Sequence, residues 1–177
     1  MSIDAKKKYV ILKDDTMKFV YFVNPKVASR TIIRVLVENG CKFYGDKAQE
    51  IDFDELKNFY KFGFCRNPYD RMVSVWKNKV IDEHETGVGD LRKYKKFLDF
   101  TENACRKNLS NCDRHIQLQS SILPVSELNF LGKIENFRLD FKKVLEHIGF
   151  DSLEDFPKIN SSKSVSYTHL RAHETLI

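Results

Sequence analysis

Residues 20–23, VYFV, form a short run of apolar β-branched and aromatic side chains that stops at Asn24-Pro25, which predicts a buried strand. Thr31, Ile32, Ile33, Val35, Leu36 and Val37 then supply the apolar face of a helix, interrupted by Arg34 and ended at Asn39-Gly40. The pattern recurs in outline further on. KFGFC, residues 61–65, is a second apolar strand broken by Arg66-Asn67-Pro68, and residues 69–80 read as a helix with Met72, Val73, Val75, Trp76 and Val80 on its apolar face. Two strand-loop-helix units in one short chain predict a parallel α/β sheet that binds its ligand at the strand C-termini.

The remaining pattern is weaker. Residues 9–12 predict a strand joined to the first unit by the turn-like Asp14-Asp15-Thr16. Residues 41–44 predict a short strand, and residues 52–60 a helix capped by Asp52. Residues 81–90, with two glycines, read as a loop, and residues 91–106 as a loosely periodic helix. Residues 114–123 form a short helix or turn ended at Pro124, and residues 129–134 a third strand of the sheet. Residues 136–148 are strongly amphipathic, with Phe137, Phe141, Val144, Leu145 and Ile148 on one side and Gly149 as the stop.

The first loop, Pro25-Lys26-Val27-Ala28-Ser29-Arg30, lies where a strand turns directly into a helix. Such a turn presents free backbone N–H groups and the positive end of the helix dipole. With Lys26, Arg30 and the hydroxyls of Ser29 and Thr31 it is suited to an oxyanion, phosphate or sulfate, although the nucleotide-loop pattern GxxxxGK[ST] is absent. The second loop and helix carry Arg66, Arg71, Ser74, Lys77 and Lys79. Helical spacing puts Arg71 and Ser74 one turn apart on a shared side, near Arg66 at the strand end, an arginine fork and hydroxyl suited to phosphate. The plainer reading of Lys77 and Lys79 is a solvated charged face.

Composition narrows the class further. The chain has 177 residues, 42% hydrophobic and 31% charged, which is a globular composition with room for one core. A net charge of +5 favours anionic ligands and is too small to predict a nucleic-acid partner. Four cysteines with no CxxC pair predict free thiols and no zinc site. No run of about 18 apolar residues predicts a membrane span.

NPKVASRT followed by FGFCRNPYDRMVSVWKNK resembles the two cofactor signatures of sulfotransferases that use 3′-phosphoadenosine 5′-phosphosulfate (PAPS). The closer resemblance is to the Golgi-type and bacterial carbohydrate sulfotransferases of the chondroitin, dermatan and HNK-1 type. Arg66, Pro68, Arg71, Ser74 and Lys79 match their R-x-P-x-x-R-x-x-S-x-x-x-x-K pattern at every spacing. DRHIQLQ resembles their D-x-H-[WF]-x-P-Q segment, with Leu118 in place of proline, and FLGKIENFRLDF resembles their G-K-[FY]-E-N-L-x-x-D-F helix start. Arg30 stands where that group has threonine. The resemblance implies a P-loop-like three-layer domain with a central, mainly parallel sheet flanked by helices. It implies that Pro25, Lys26, Val27, Ala28, Ser29, Arg30 and Thr31 grip the 5′-phosphosulfate, that Arg66 and Ser74 bind the 3′-phosphate, and that no metal is needed. It further implies sulfuryl transfer to a hydroxyl, on a glycan or surface polysaccharide, with Lys26 stabilising charge on the leaving group.

The acceptor hydroxyl requires a general base. His115, in the family-like DRHIQLQ segment, is the first candidate, and Asp82, Glu83 and His84 are its rivals. Glu135, Asn136 and His147 are read as structural. The C-terminal stretch SVSYTHLRAHETLI looks like translated vector or adapter sequence, so the expectation is a sulfotransferase domain over residues 1–163, truncated, and a non-native tail over 164–177. The absence of a signal-peptide core and of an anchor places the expected protein in a cytoplasm, of bacterial type. Two other readings stand beside this one: a kinase-like phosphoryl-transfer enzyme, and a non-catalytic domain that only binds an anionic nucleotide or glycan.

Overall fold

The computed structural model describes residues 7–42, 47–83 and 87–150. A four-stranded sheet forms its centre. Strand β1 (Lys8–Tyr9) is short, and β2 (Ile11–Asp14) turns back into β3 (Phe19–Phe22) as an antiparallel hairpin. The turn is fixed by Asp14, whose carboxylate accepts from the N–H groups of Thr16 and Met17. Helix α1 (Ser29–Glu38) follows, then a two-residue strand β4 (Gln49–Glu50) paired with β1. Strand β5 (Tyr60–Cys65) pairs parallel with β3, and helix α2 (Pro68–Trp76) leaves its C-terminal end. Helices α3 (Phe97–Cys105) and α4 (Gln119–Ile122), strand β6 (Phe130–Lys133), parallel to β5, and helix α5 (Phe137–His147) complete the order. The sheet runs β2-β3-β5-β6, so the predicted mainly parallel α/β sheet flanked by helices is what the chain adopts.

The apolar run in β3 has a direct packing reason. Phe19 and Tyr21 face the layer made by α1 and α5, while Val20 and Phe22 face Leu56, Phe59 and Leu123 on the other side. All four are fully buried, as expected of a central strand covered on both faces. Helix α1 contributes Ile32, Val35 and Leu36 to the first layer, and α5 contributes Phe137, Phe141, Val144 and Leu145. A third cluster joins α2, α3 and the segments around Val88 and Ile116.

Several local expectations are corrected. Residues 52–60 are not a helix. Asp52 turns its carboxylate onto the N–H of Asp54, successive i to i+3 turns follow, and the buried Lys61 donates to the carbonyls of Leu56 and Phe59. Side-chain capture of the backbone competes here with helical bonding. Cys41 and Lys42 lie in no strand, because the Cys41 N–H closes on Leu36 O at the end of α1; residues 43–46 lie outside the described residues. The helix predicted over 69–80 is α-helical only to Trp76 and continues as a π turn, Lys77–Ile81. The helix predicted over 91–106 divides into a 3₁₀ turn, Gly89–Lys93, and α3. The tail predicted over 164–177 lies outside the described residues, and with it the predicted domain boundary.

Gly132 in β6 sits directly against the Phe64 ring: a Cβ there would contact Phe64 Cε1 and come 2.7 Å from Cδ1. Phe64 cannot swing aside, since it is fully buried between Phe62, Phe137 and Phe141. Gly132→Ala is expected to lower stability by about 1–3 kcal/mol through overpacking, read as a shift of the urea midpoint with an unchanged slope.

Candidate anion-binding and acid–base site

The C-terminal ends of β3 and β5 meet at one edge of the sheet. Beyond β3 the chain passes through Asn24 and Pro25 into a loop whose backbone takes left-handed conformations at Lys26 (φ 68°) and Ala28 (φ 57°). Neither is glycine, so each costs about 1–3 kcal/mol and must be held by its surroundings. Ala28 caps α1, accepting from the N–H groups of Thr31 and Ile32. The left-handed cap followed by helical residues aligns N–H groups around a concavity of the kind that takes anions. Val27 is fully buried and anchors the loop in the core.

Arg71 holds this loop from outside. Its guanidinium, almost wholly buried, donates to Pro25 O (3.2 Å), Gln117 O (2.9 Å) and Arg114 O (2.8 Å). The sequence placed Arg71 in a phosphate fork; the structure shows its donors committed to main-chain carbonyls instead. Gln119 makes a second tie. Its Oε1 accepts from Arg66 N–H and from Asn24 Nδ2, and its Nε2 donates to Arg66 O, joining the ends of β3 and β5. Asn24 Nδ2 also donates to Phe64 O, while its buried Oδ1 has no hydrogen-bond partner among the described residues. Arg114 donates to Val23 O, and Glu135 accepts the Asn67 N–H at the start of α2. The DRHIQLQ segment thus fixes the anion loop through Arg114 and Gln119, positions that the sequence reading passed over in favour of His115.

The charges that face this loop are nearly all of one sign. Burial pushes the Lys26 ammonium down to about 8, and Lys79, Arg30 and Arg66 push it further in the same direction, against Asp82 alone. Arg66 also places Nη1 3.4 Å from Lys26 O. Ser74 is half-buried one turn beyond Arg71, on the side of α2 from which Arg71 reaches the loop. Ser29 and Thr31 are half-buried in the first turn of α1, where Arg30 is exposed. Lys79 is a correction: it is not on a solvated face but buried, 4% exposed. Four cations, hydroxyls and the N–H groups at the start of α1, which take no side-chain cap, form a donor set suited to a polyanion.

His115 lies beside this cluster, partly buried. Its Nδ1 is 2.8 Å from Asp113 Oδ1, which also accepts the His115 N–H at 2.9 Å. That hydrogen bonding, from the side chain first, holds the Asp113 carboxyl down to about 2, and the Val88 N–H adds to it. A carboxylate only accepts, so the ring proton sits on Nδ1 and Nε2 is left as the acceptor. Gly87, at φ 96°, lies against the ring; a Cβ there would be 2.6 Å from Nδ1. Of the rival bases, Asp82 is exposed within the field of Lys26, and Glu83 is ion-paired with Lys95 at 2.6 Å. His84 lies outside the described residues. His147 stacks on Tyr60 at the other end of the sheet, centroids 3.8 Å apart.

A mainly parallel α/β sheet with a cationic strand-loop-helix at its C-terminal edge is a layout suited to an oxyanion. The chain belongs to the sulfotransferase family, whose model matches residues 9–175. It is 25% identical to carbohydrate sulfotransferase 14 of Danio rerio over 185 residues, covering 84% of this chain and 50% of that protein. It is 25% identical to carbohydrate sulfotransferase 10 of Rattus norvegicus over 130 residues, covering 59% of this chain and 36% of that protein. The chain therefore spans half or less of the length of these curated relatives. No solved structure matches it. Among the described residues no helix is long and apolar enough to cross a membrane.

Two outcomes follow from this geometry. Arg71→Lys cannot reproduce the fork on three carbonyls and is expected to cost about 2–4 kcal/mol, measured by denaturant unfolding. The free protein loses the Lys26 proton as pH rises through about 8, whereas an oxyanion beside it favours the charged form. Sulfate binding between pH 8 and 9 is therefore expected to take up protons and to weaken as pH rises. Calorimetry in buffers of different ionisation heat checks this, and a buffer-independent heat contradicts it.

Proposed function

We propose that this chain transfers a sulfuryl group from PAPS to a hydroxyl of a carbohydrate. The observation that carries the reading is the convergence of Lys26, Arg30, Arg66 and Lys79 on the loop between β3 and α1. The names of the two relatives support the acceptor class.

Each residue then has a physical task. When bound, PAPS supplies an activated sulfuryl group. Lys26 and the N–H groups at the start of α1 hold the 5′-phosphosulfate, and they face the oxygen on which negative charge grows as the sulfuryl group departs. Val27 and Ala28 set the loop's curvature from Pro25 onward, while Ser29, Arg30 and Thr31 supply side-chain donors. Arg66 and Ser74 hold the 3′-phosphate, the group that separates this donor from ordinary adenine nucleotides. His115 takes the proton of the acceptor hydroxyl on Nε2, with Asp113 fixing its tautomer and stabilising the charge it gains.

Calorimetry with 3′-phosphoadenosine 5′-phosphate and with adenosine 5′-phosphate tests the donor site. The first is expected to bind more tightly, and Arg66→Ala to remove most of that difference, about 10- to 100-fold. Equal binding of the two nucleotides by the wild type contradicts the reading. In a transfer assay His115→Ala is expected to lower kcat by about 100-fold or more while leaving nucleotide affinity unchanged. An unaltered kcat removes His115 from the role.

A further inference from the structure

Lys79, the second buried lysine of the site, belongs to the cationic convergence but is given no contact of its own with the donor in the reading above. Helix α2 widens into the π turn at Lys77–Ile81, closed by the Asp82 N–H on Lys77 O at 2.8 Å. Single π turns occur mainly where function requires a side chain to be re-aimed. Here the neighbouring Val80 is locked into the cluster of Val75, Val88, Phe100 and Ile116, which fixes the turn. Lys79 is consequently buried, and near enough to Lys26 and Arg30 for their charges to oppose its own. It makes no salt bridge or hydrogen bond among the described residues. The contrast is Lys61, equally enclosed, whose ammonium donates to two main-chain carbonyls.

The surroundings of Lys79 are those of an incomplete ion cluster. Burial first, then Arg30 and Arg92, make its charged form unfavourable, and Lys26 and Lys79 oppose each other. Asp113 is the one carboxylate among the described residues that acts the other way, and it is already engaged by His115 and the Val88 N–H. A buried ammonium with neighbours of like charge is unfavourable unless an anion completes the group.

We infer that Lys79 is a second anion-binding lysine, which the π turn delivers opposite Lys26 to the 5′-phosphate of the bound nucleotide. This rests on the PAPS reading and assigns Lys79 to the 5′ side of the site, apart from Arg66 and Ser74. Two lysines would then share the charge that grows on the leaving phosphate.

The test uses Lys79→Met and Lys79→Arg, with unfolding measured without ligand and calorimetry with two nucleotides. One nucleotide is 3′-phosphoadenosine 5′-phosphate; the other is adenosine 3′-phosphate, which lacks the 5′ group. Lys79→Met is expected to melt at or above the wild-type temperature, because it removes a buried charge opposed by its neighbours. It is expected to bind 3′-phosphoadenosine 5′-phosphate about 10- to 100-fold more weakly and adenosine 3′-phosphate as the wild type does. Lys79→Arg, which keeps the charge, is expected to restore part of the lost affinity. A lower melting temperature with both ligands weakened equally, or unchanged binding of both, overturns the role of Lys79 and leaves the PAPS reading standing. A wild-type chain that binds neither nucleotide overturns that reading, and this role with it.

Discussion

The Arg71 guanidinium holds together what the site needs held. Three main-chain carbonyls from two distant segments, Pro25 and the pair Arg114 and Gln117, accept from one planar group. Gln119 repeats the device between Asn24 and Arg66. These loop carbonyls beyond the sheet edge would otherwise be left without partners in a partly buried setting. A rigid donor fork satisfies them and at the same time sets the distance between the anion loop, the start of α2 and the segment carrying His115. Lysine in place of Arg71 would keep the charge and lose the geometry.

Around that frame the chain accepts unfavourable terms. Lys26 and Ala28 are left-handed without being glycine, and Lys26, Arg30, Arg66 and Lys79 crowd charges of one sign. Both features are stable only because the core is indifferent to them: Val27 and the α1 face of Ile32, Val35 and Leu36 bury the loop's flanks whatever its tip does. Under the proposed function a bound polyanion would relieve the repulsion, and part of its binding energy would then be stored in the free protein as destabilisation. Sites of this kind trade stability for affinity.

The sheet was legible because β3, β5 and α5 obey simple periodicities, and the anion loop because a lysine and hydroxyls follow a strand end directly. What escaped has specific causes. Asp52 resembles a helix cap but uses its carboxylate in a tighter turn. The helix widens into a π turn after Trp76, so regular helical spacing carried on from α2 does not give the face on which Lys79 lies. Arg71 has the composition of a ligand and the contacts of a brace, a difference that only the carbonyls around it decide. The Asp113–His115 contact is local, two residues apart, but the sequence singled out only His115 in that segment; Gly87, which packs on the ring from a distant segment, carried no sequence signal beyond being glycine.

The most direct test of the central claim is amide chemical-shift mapping of the wild-type chain titrated with 3′-phosphoadenosine 5′-phosphate. The account predicts the largest shifts at the amides of residues 26–31 and at Arg66, with smaller ones through Gln119. Shifts centred instead on the groove at the opposite end of the sheet, lined by Lys18, Lys57, Tyr60 and His147, would contradict it.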